Sequence, residues 1–253
     1  SLATTGTQKR AGTARIWGMI EALLFDCDGT TTWTQQAFDK WHGIAQKYIA
    51  KVTGVNVQTI KAEFGELWGK AKDEYHVEPG AMIGYVCGYY DEVYSLGSAA
   101  LGILSGYFWN VYHEPVSLYP ETEEVLYELR RRRFPIGMVT HAKKEWTDAK
   151  MEWTGQRKYL LGGRVYVVPA NGPKDSQAWI DGANFYGFDR KTTLVVGDNL
   201  KDDANAANLA GFVACWLVRD EEVWGKLRQG RILDGVITIR NLTEVLELID
   251  GRE

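Results

Sequence analysis

The sequence predicts an α/β protein, a mostly parallel sheet with helices on both faces, accompanied by a second, smaller module that is all helical. Short apolar runs that stop at polar or acidic residues recur at 22–25, 136–139 and 194–196, the pattern of strands buried on both faces. Helical patterns fill the intervals between the later runs, as crossovers between parallel strands require. From 33 to 115 helical spacing persists with no comparable run, which sets that stretch apart.

The run 22–25 ends at Asp26, Asp28 and Gly29, the run 136–139 at Thr140, and the run 194–196 at Gly197 and Asp198. Segments 165–168 and 213–217 are further strand candidates without acidic ends. The segment 120–132 opens on Pro120 and acids and closes on arginines, matching a helix dipole at both ends. Trp146, Ala149 and Trp153 mark a second helix, and Ala204 with 207–210 a third. Within 33–115, Phe38, Trp41, Ile44, Ala45, Tyr48, Ile49 and Val52 follow one helical face. Gly54, Gly69 and Pro79 are expected to divide this module into about four helices. The aromatics Trp33, Trp41, Trp68, Tyr89, Tyr90, Phe108 and Trp109 are assigned to its core rather than to ligand contacts.

At 253 residues, 45% hydrophobic and 25% charged, the chain can bury a sizeable core, and global disorder is excluded as its native state. A net charge of −4 gives no basic excess, so no nucleic-acid partner is expected. The four arginines at 130–133 are read as a solvated, dipole-matched helix end. No apolar stretch has the length of a membrane span; the most apolar window, 99–112, contains Gly102 and Gly106 and is expected to be a buried helix. Cys27, Cys87 and Cys215 lack zinc-like spacing and are odd in number, which points to a reducing compartment, the cytoplasm. His42, His76, His113 and His141 are isolated and are not taken as metal ligands. Residues 1–18, with Lys9, Arg10 and Arg15 and no acids, are expected to be a disordered leader.

Asp26 and Asp28 at one strand end, with Asp198 and Asp202 at another, offer hard oxygen ligands suited to magnesium. Carboxylates that converged without a cation would repel one another. Lys174, after Asn171-Gly172-Pro173, can bring a positive charge to the same cluster, and Thr140 adds a hydroxyl donor. A cation, a lysine, a hydroxyl and a pair of aspartates together suit a phosphate, whose transfer needs charge neutralisation and an in-line nucleophile.

These residues resemble the haloacid dehalogenase superfamily. Its first motif, an apolar strand followed by DxDGT, is matched by Leu23-Leu24-Phe25-Asp26-Cys27-Asp28-Gly29-Thr30. Its strand-ending Ser or Thr is matched by Ile136-Gly137-Met138-Val139-Thr140. Its helix-opening lysine is matched by Lys174, although here Pro173 precedes the lysine where the family usually has a following proline. The last motif is matched by Val195-Val196-Gly197-Asp198-Asn199-Leu200-Lys201-Asp202, with Asp203 making the second acid ambiguous by one position. The four motifs appear in the family's order over residues 20–217.

The resemblance implies a Rossmann-like core, here 19–32 and 116–253, and a helical cap at 33–115 inserted after the first motif, hinged near Trp33 and again near 114–118. It implies that Asp26 attacks phosphorus, that Asp28 serves as acid and then base, and that Asp26, Asp198 and the Asp28 carbonyl hold magnesium. Thr140 and Lys174 would bind the phosphoryl group and offset charge, with Asp202 or Asp203 supporting the metal site. The expected activity is hydrolysis of a small phosphorylated metabolite beneath the cap. A phosphomutase, a haloacid dehalogenase, a phosphonate hydrolase using Lys40, Lys47 or Lys51, and a non-catalytic binding protein are the rival readings. The substrate and the oligomeric state are not legible.

Overall fold

The computed structural model describes residues 20–219 and 230–251; the expected leader at 1–18 lies outside them. In chain order the strands are β1 (Ala22–Phe25), β2 (Thr32–Trp33), β3 (Ser117–Leu118), β4 (Ile136–His141), β5 (Tyr166–Val168), β6 (Thr193–Gly197), β7 (Val213–Leu217) and β8 (Ile237–Ile239). Six of them form one sheet in the order β5-β4-β1-β6-β7-β8, with every pairing parallel. The α/β class expected from the sequence is therefore the class observed.

β1 and β6 are buried along their whole length, because helices cover both faces of the sheet. Side chains divide between those faces with the period of two that a strand imposes. Leu23, Phe25, Met138, Leu194 and Val196 pack on one side with Val125, Leu126 and Leu129 of α5 (Thr122–Arg131) and with Val245 of α9 (Glu244–Ile249). Leu24, Val139 and Val195 pack on the other with Trp179, Ala183 and Tyr186 of α7 (Ser176–Tyr186) and with Ala206 and Ala207 of α8 (Ala206–Leu209). α6 (Lys144–Thr154) follows β4 and buries Thr147, Lys150 and Met151. Pairing with β5 carries β4 through Thr140 to His141, two residues beyond the apolar run. The edge strand β8 has no counterpart among the expected elements.

The helical module consists of α1 (Gln35–Thr53), α2 (Val57–Tyr75), α3 (Pro79–Tyr94) and α4 (Gly97–Asn110). Its core joins Ala45, Ile49, Ile60, Phe64, Leu67, Val86, Tyr90, Leu104 and Phe108. Gly54 ends α1 in a left-handed cap and Pro79 opens α3, as the sequence indicates. Gly69 does not break the chain: it lies inside α2, whose Ile60, Phe64, Leu67 and Ala71 are buried, and that packing outweighs the roughly 1 kcal/mol helix penalty of a glycine. The remaining break comes at Ser95 and Gly97, both at positive φ. α4 is a helix as expected but not a buried one, since only Leu104 and Phe108 are enclosed while Ile103 is 47% and Trp109 37% exposed. Trp33 is also exposed and stacks on Tyr119 with ring centroids 5.7 Å apart. Among the described residues no helix is long and apolar enough to cross a membrane.

The two chain crossings between module and sheet are held together, because β2 and β3 pair antiparallel, Thr32 opposite Leu118 and Trp33 opposite Ser117. Two of the four arginines closing α5 are paired within the chain: Arg131 and Arg132 with Glu128, and Arg132 also with Asp250. Leu129 has no exposed surface whereas Tyr127 on the same helix is 58% exposed. Leu129→Ala should lower the unfolding free energy measured in urea by about 2–5 kcal/mol, and Tyr127→Ala should change it by less than about 0.5 kcal/mol.

Candidate active site

β1, β4 and β6 lie side by side, and their carboxyl ends deliver Asp26, Thr140 and Asp198 to one edge of the sheet. The Asp26 amide donates to the Val196 carbonyl at 2.9 Å, extending the β1–β6 ladder to the aspartate itself. Two glycines permit the close approach that follows. Gly29 sits at φ +82°, and a Cβ there would collide with the Asp198 carboxylate; a Cβ at Gly197 would collide with the Asp203 side chain.

Asp26, Asp198 and Asp203 each present an oxygen within 4.8 Å of the others, and all three are buried. Asp203, not Asp202, completes this group. Residues Leu200–Asn205 form a wide helical turn in which the Ala204 amide reaches back to the Asn199 carbonyl at 3.2 Å, and that pitch turns Asp203 inward. The Asp202 carboxylate accepts from Asn199 Nδ2 at 2.8 Å instead. Lys174 Nζ bridges the cluster, donating to Asp26 and lying 2.7 Å from Asp203 Oδ1. The Thr30 hydroxyl stands 3.3 Å from an oxygen of Asp26 and of Asp198. Thr30 belongs to the first motif, and nothing in the sequence assigns its hydroxyl to the cluster.

Burial disfavours the Lys174 ammonium, but Asp203 and Asp26 outweigh it and hold the pKa above the ordinary lysine value. Burial, with the neighbouring Asp26 and Asp198, pushes Asp203 up to about 7 against the pull of Lys174. Burial and like charge both oppose ionisation of Asp203, and a bound cation would offset both. Three buried hard oxygen donors fit a divalent cation of the magnesium type, which would lower that pKa again.

The Asp28 carboxylate is not one of this trio and has its own partner. Lys150 on α6 gives its ammonium to both Asp28 oxygens, at 2.7 and 2.6 Å, and has no exposed side-chain surface, while Asp28 keeps 27%. Burial raises the Asp28 pKa and Lys150 opposes that rise; burial also opposes the Lys150 ammonium, yet Asp28 carries its pKa upward. Lys150 belongs to no motif in the sequence. The available signal was its place between Thr147 and Met151 on the core-facing stripe of an amphipathic helix. Cys27 is buried between the two aspartates, and burial pushes its thiol up to about 12, so it is an inert packing group.

Thr140 is fully buried, and its hydroxyl has no hydrogen-bond partner among the described residues, which leaves it able to donate to an acceptor. Burial, then Lys174, lowers the pKa of the neighbouring His141 to about 4. Of the cap lysines, Lys40 pairs with Glu114, and Lys47 and Lys51 are exposed. The cap meets the core at the turn between α2 and α3: the Val77 amide donates to the Ala170 carbonyl at 3.1 Å, and Glu78 pairs with Lys143 at 2.7 Å. A second contact is aromatic, with Phe38 and Tyr112 packing edge-on against Trp146 of α6.

Fold and site together define a parallel-sheet α/β protein with an acidic, lysine-braced centre at its strand ends and a helical cap beside it. The family model for haloacid dehalogenase-like hydrolases matches residues 20–211, and the chain belongs to that family and is a hydrolase. Solved structures of similar fold include a HAD phosphatase from Thermococcus onnurineus, 20% identical, covering 92% of this chain and 99% of that one with a TM-score of 0.62. A HAD hydrolase from Bacillus subtilis, bound to magnesium, is 16% identical, covering 91% and 99% with a TM-score of 0.67. A 2-haloacid dehalogenase from Pseudomonas syringae pv. Tomato DC3000 is 20% identical, covering 92% and 99% with a TM-score of 0.61. At these identities the likeness is one of fold. No curated protein sequence matches the chain.

Two outcomes follow for the acidic cluster. Asp203→Asn should weaken magnesium binding measured by calorimetry at least about tenfold, while Asp202→Asn should leave it within about twofold. Because the Asp203 pKa is raised by folding, the native chain holds a proton that the unfolded chain has released between about pH 4 and 7. The metal-free protein should therefore lose thermal stability as pH rises through that window, and magnesium should raise Tm more at pH 8 than at pH 5.

Proposed function

We propose that the chain is a magnesium-dependent phosphohydrolase that cleaves a small phosphorylated metabolite through a phosphoaspartate on Asp26. The observation that carries this reading is the convergence of Asp26, Asp198 and Asp203 around Lys174 at the ends of β1 and β6. A buried trio of hard donors suits a divalent cation, and dianionic phosphate needs that neutralisation. Displacing halide from carbon releases a leaving group that needs neither a cation nor a proton, so the first step of a dehalogenase would not call on a metal-binding trio.

Asp26, Asp198 and Asp203 would hold the metal, with the Asp28 carbonyl as a further oxygen. When bound, the ion would neutralise charge developing on the phosphoryl oxygens. Asp26 attacks phosphorus and its new O–P bond forms as the ester oxygen departs with a proton from Asp28. Asp28 then takes a proton from water, whose oxygen bonds phosphorus while the Asp26–phosphoryl bond breaks. Lys174 offsets the charge of Asp26, and the unpartnered Thr140 hydroxyl donates to a phosphoryl oxygen. The cap turn touches Ala170 and Lys143, and a lid so placed suits a small substrate.

Phosphate release from p-nitrophenyl phosphate should require magnesium, fall to background with a chelator, and drop by about 10³-fold or more in Asp26→Asn. Chloride release from a 2-haloacid without phosphatase activity would instead make the chain a dehalogenase. Recovery of an isomeric sugar phosphate rather than inorganic phosphate would make it a mutase.

A further inference from the structure

Lys150 stands where α6 turns its apolar stripe toward the sheet, between Thr147 and Met151, which are also buried. An apolar side chain would pack at such a position without the desolvation that an ammonium incurs. A buried ion pair contributes little net stability relative to apolar residues of the same volume, so folding alone does not account for the lysine. Its surroundings do. Both hydrogen bonds converge on the carboxylate of Asp28, and the ammonium lies over the Trp146 ring at 4.0 Å from its centroid. Trp146 is in turn packed by Tyr112 and Phe38 from the cap side.

From this we infer that Lys150 is a positioning residue for the reaction: it fixes the orientation of the Asp28 carboxyl group so that its O–H faces the departing ester oxygen and, once that proton is given up, the freed lone pair faces the hydrolytic water. The inference rests on the phosphohydrolase reading. Two bonds from one ammonium remove rotation about the terminal torsion of Asp28, and the 27% of that side chain left accessible is the part available to the reaction. Trp146 and the cap aromatics beyond it hold the lysine in place, so the geometry of the proton donor is coupled to the packing of cap on core.

The test is a series of ring-substituted phenyl phosphates assayed with the wild type, K150M and K150R in saturating magnesium. The ratio kcat/KM reports the steps up to departure of the phenol. A poorly held acid should harm unactivated phenols most, so K150M should lose about 10²-fold on phenyl phosphate but less than about fivefold on p-nitrophenyl phosphate. The slope of log kcat/KM against leaving-group pKa should steepen accordingly, and K150R should recover part of the loss. In an Asp28→Asn background K150M should have no further effect. K150Q carries the same comparison where K150M does not fold. Equal losses across the series, or a full effect in the Asp28→Asn background, would overturn the role given to Lys150 while leaving the phosphohydrolase reading intact. A wild type inert toward every phosphate ester refutes that reading itself.

Discussion

The buried ammonium of Lys174 is the charge on which the arrangement of this molecule depends. A parallel sheet places the carboxyl ends of β1 and β6 side by side, and the glycines at 29 and 197 let Asp26, Asp198 and Asp203 close to within 4.8 Å. Without a cation between them, such a group would be forced apart or would take up protons. Lys174 meets two of the three carboxylates, and Lys150 separately meets Asp28. Four carboxylates against two ammonium groups leave two negative charges when all are ionised, the charge of one divalent ion. Burial first, and then the nearby Asp26 and Asp198, raise the pKa of Asp203 in the same place.

The helical cap builds on that centre without entering its covalent frame. Its own core of Ile49, Phe64, Tyr90 and Phe108 is distinct from the two clusters that flank the sheet. Two short strands, β2 and β3, carry the chain across and back. Between these crossings the cap rests on the core through a backbone hydrogen bond, one partly exposed ion pair and aromatic edges. Contacts of this kind are weak singly.

Much of the site was legible because its residues are fixed by local chain geometry. An apolar strand that stops at Asp26 or Asp198 announces both the strand and the side chain at its end, and the same holds for Thr140. Residues that reach the site through tertiary packing were not legible in that way. Asp202 and Asp203 are neighbours, and only the wide turn at Leu200–Asn205 decides which faces inward. Lys150 is one lysine in a helix of mixed polarity, and its partner lies 122 residues earlier in the chain. The cap was visible as an unbroken helical stretch, yet Gly69 read as a break and Gly97 did not, because packing of Phe64, Leu67 and Ala71 holds α2 together across its glycine.

The chemistry proposed for Asp26 is tested most directly by an attempt to trap a phosphoaspartate there. Acid quenching during turnover of a phosphate ester, followed by peptide mass spectrometry, should find one phosphoryl group on the peptide carrying Asp26, disappearing when substrate is exhausted and absent without magnesium. A turnover that leaves Asp26 unmodified at every quench time, or that leaves it esterified to substrate carbon, would contradict the account.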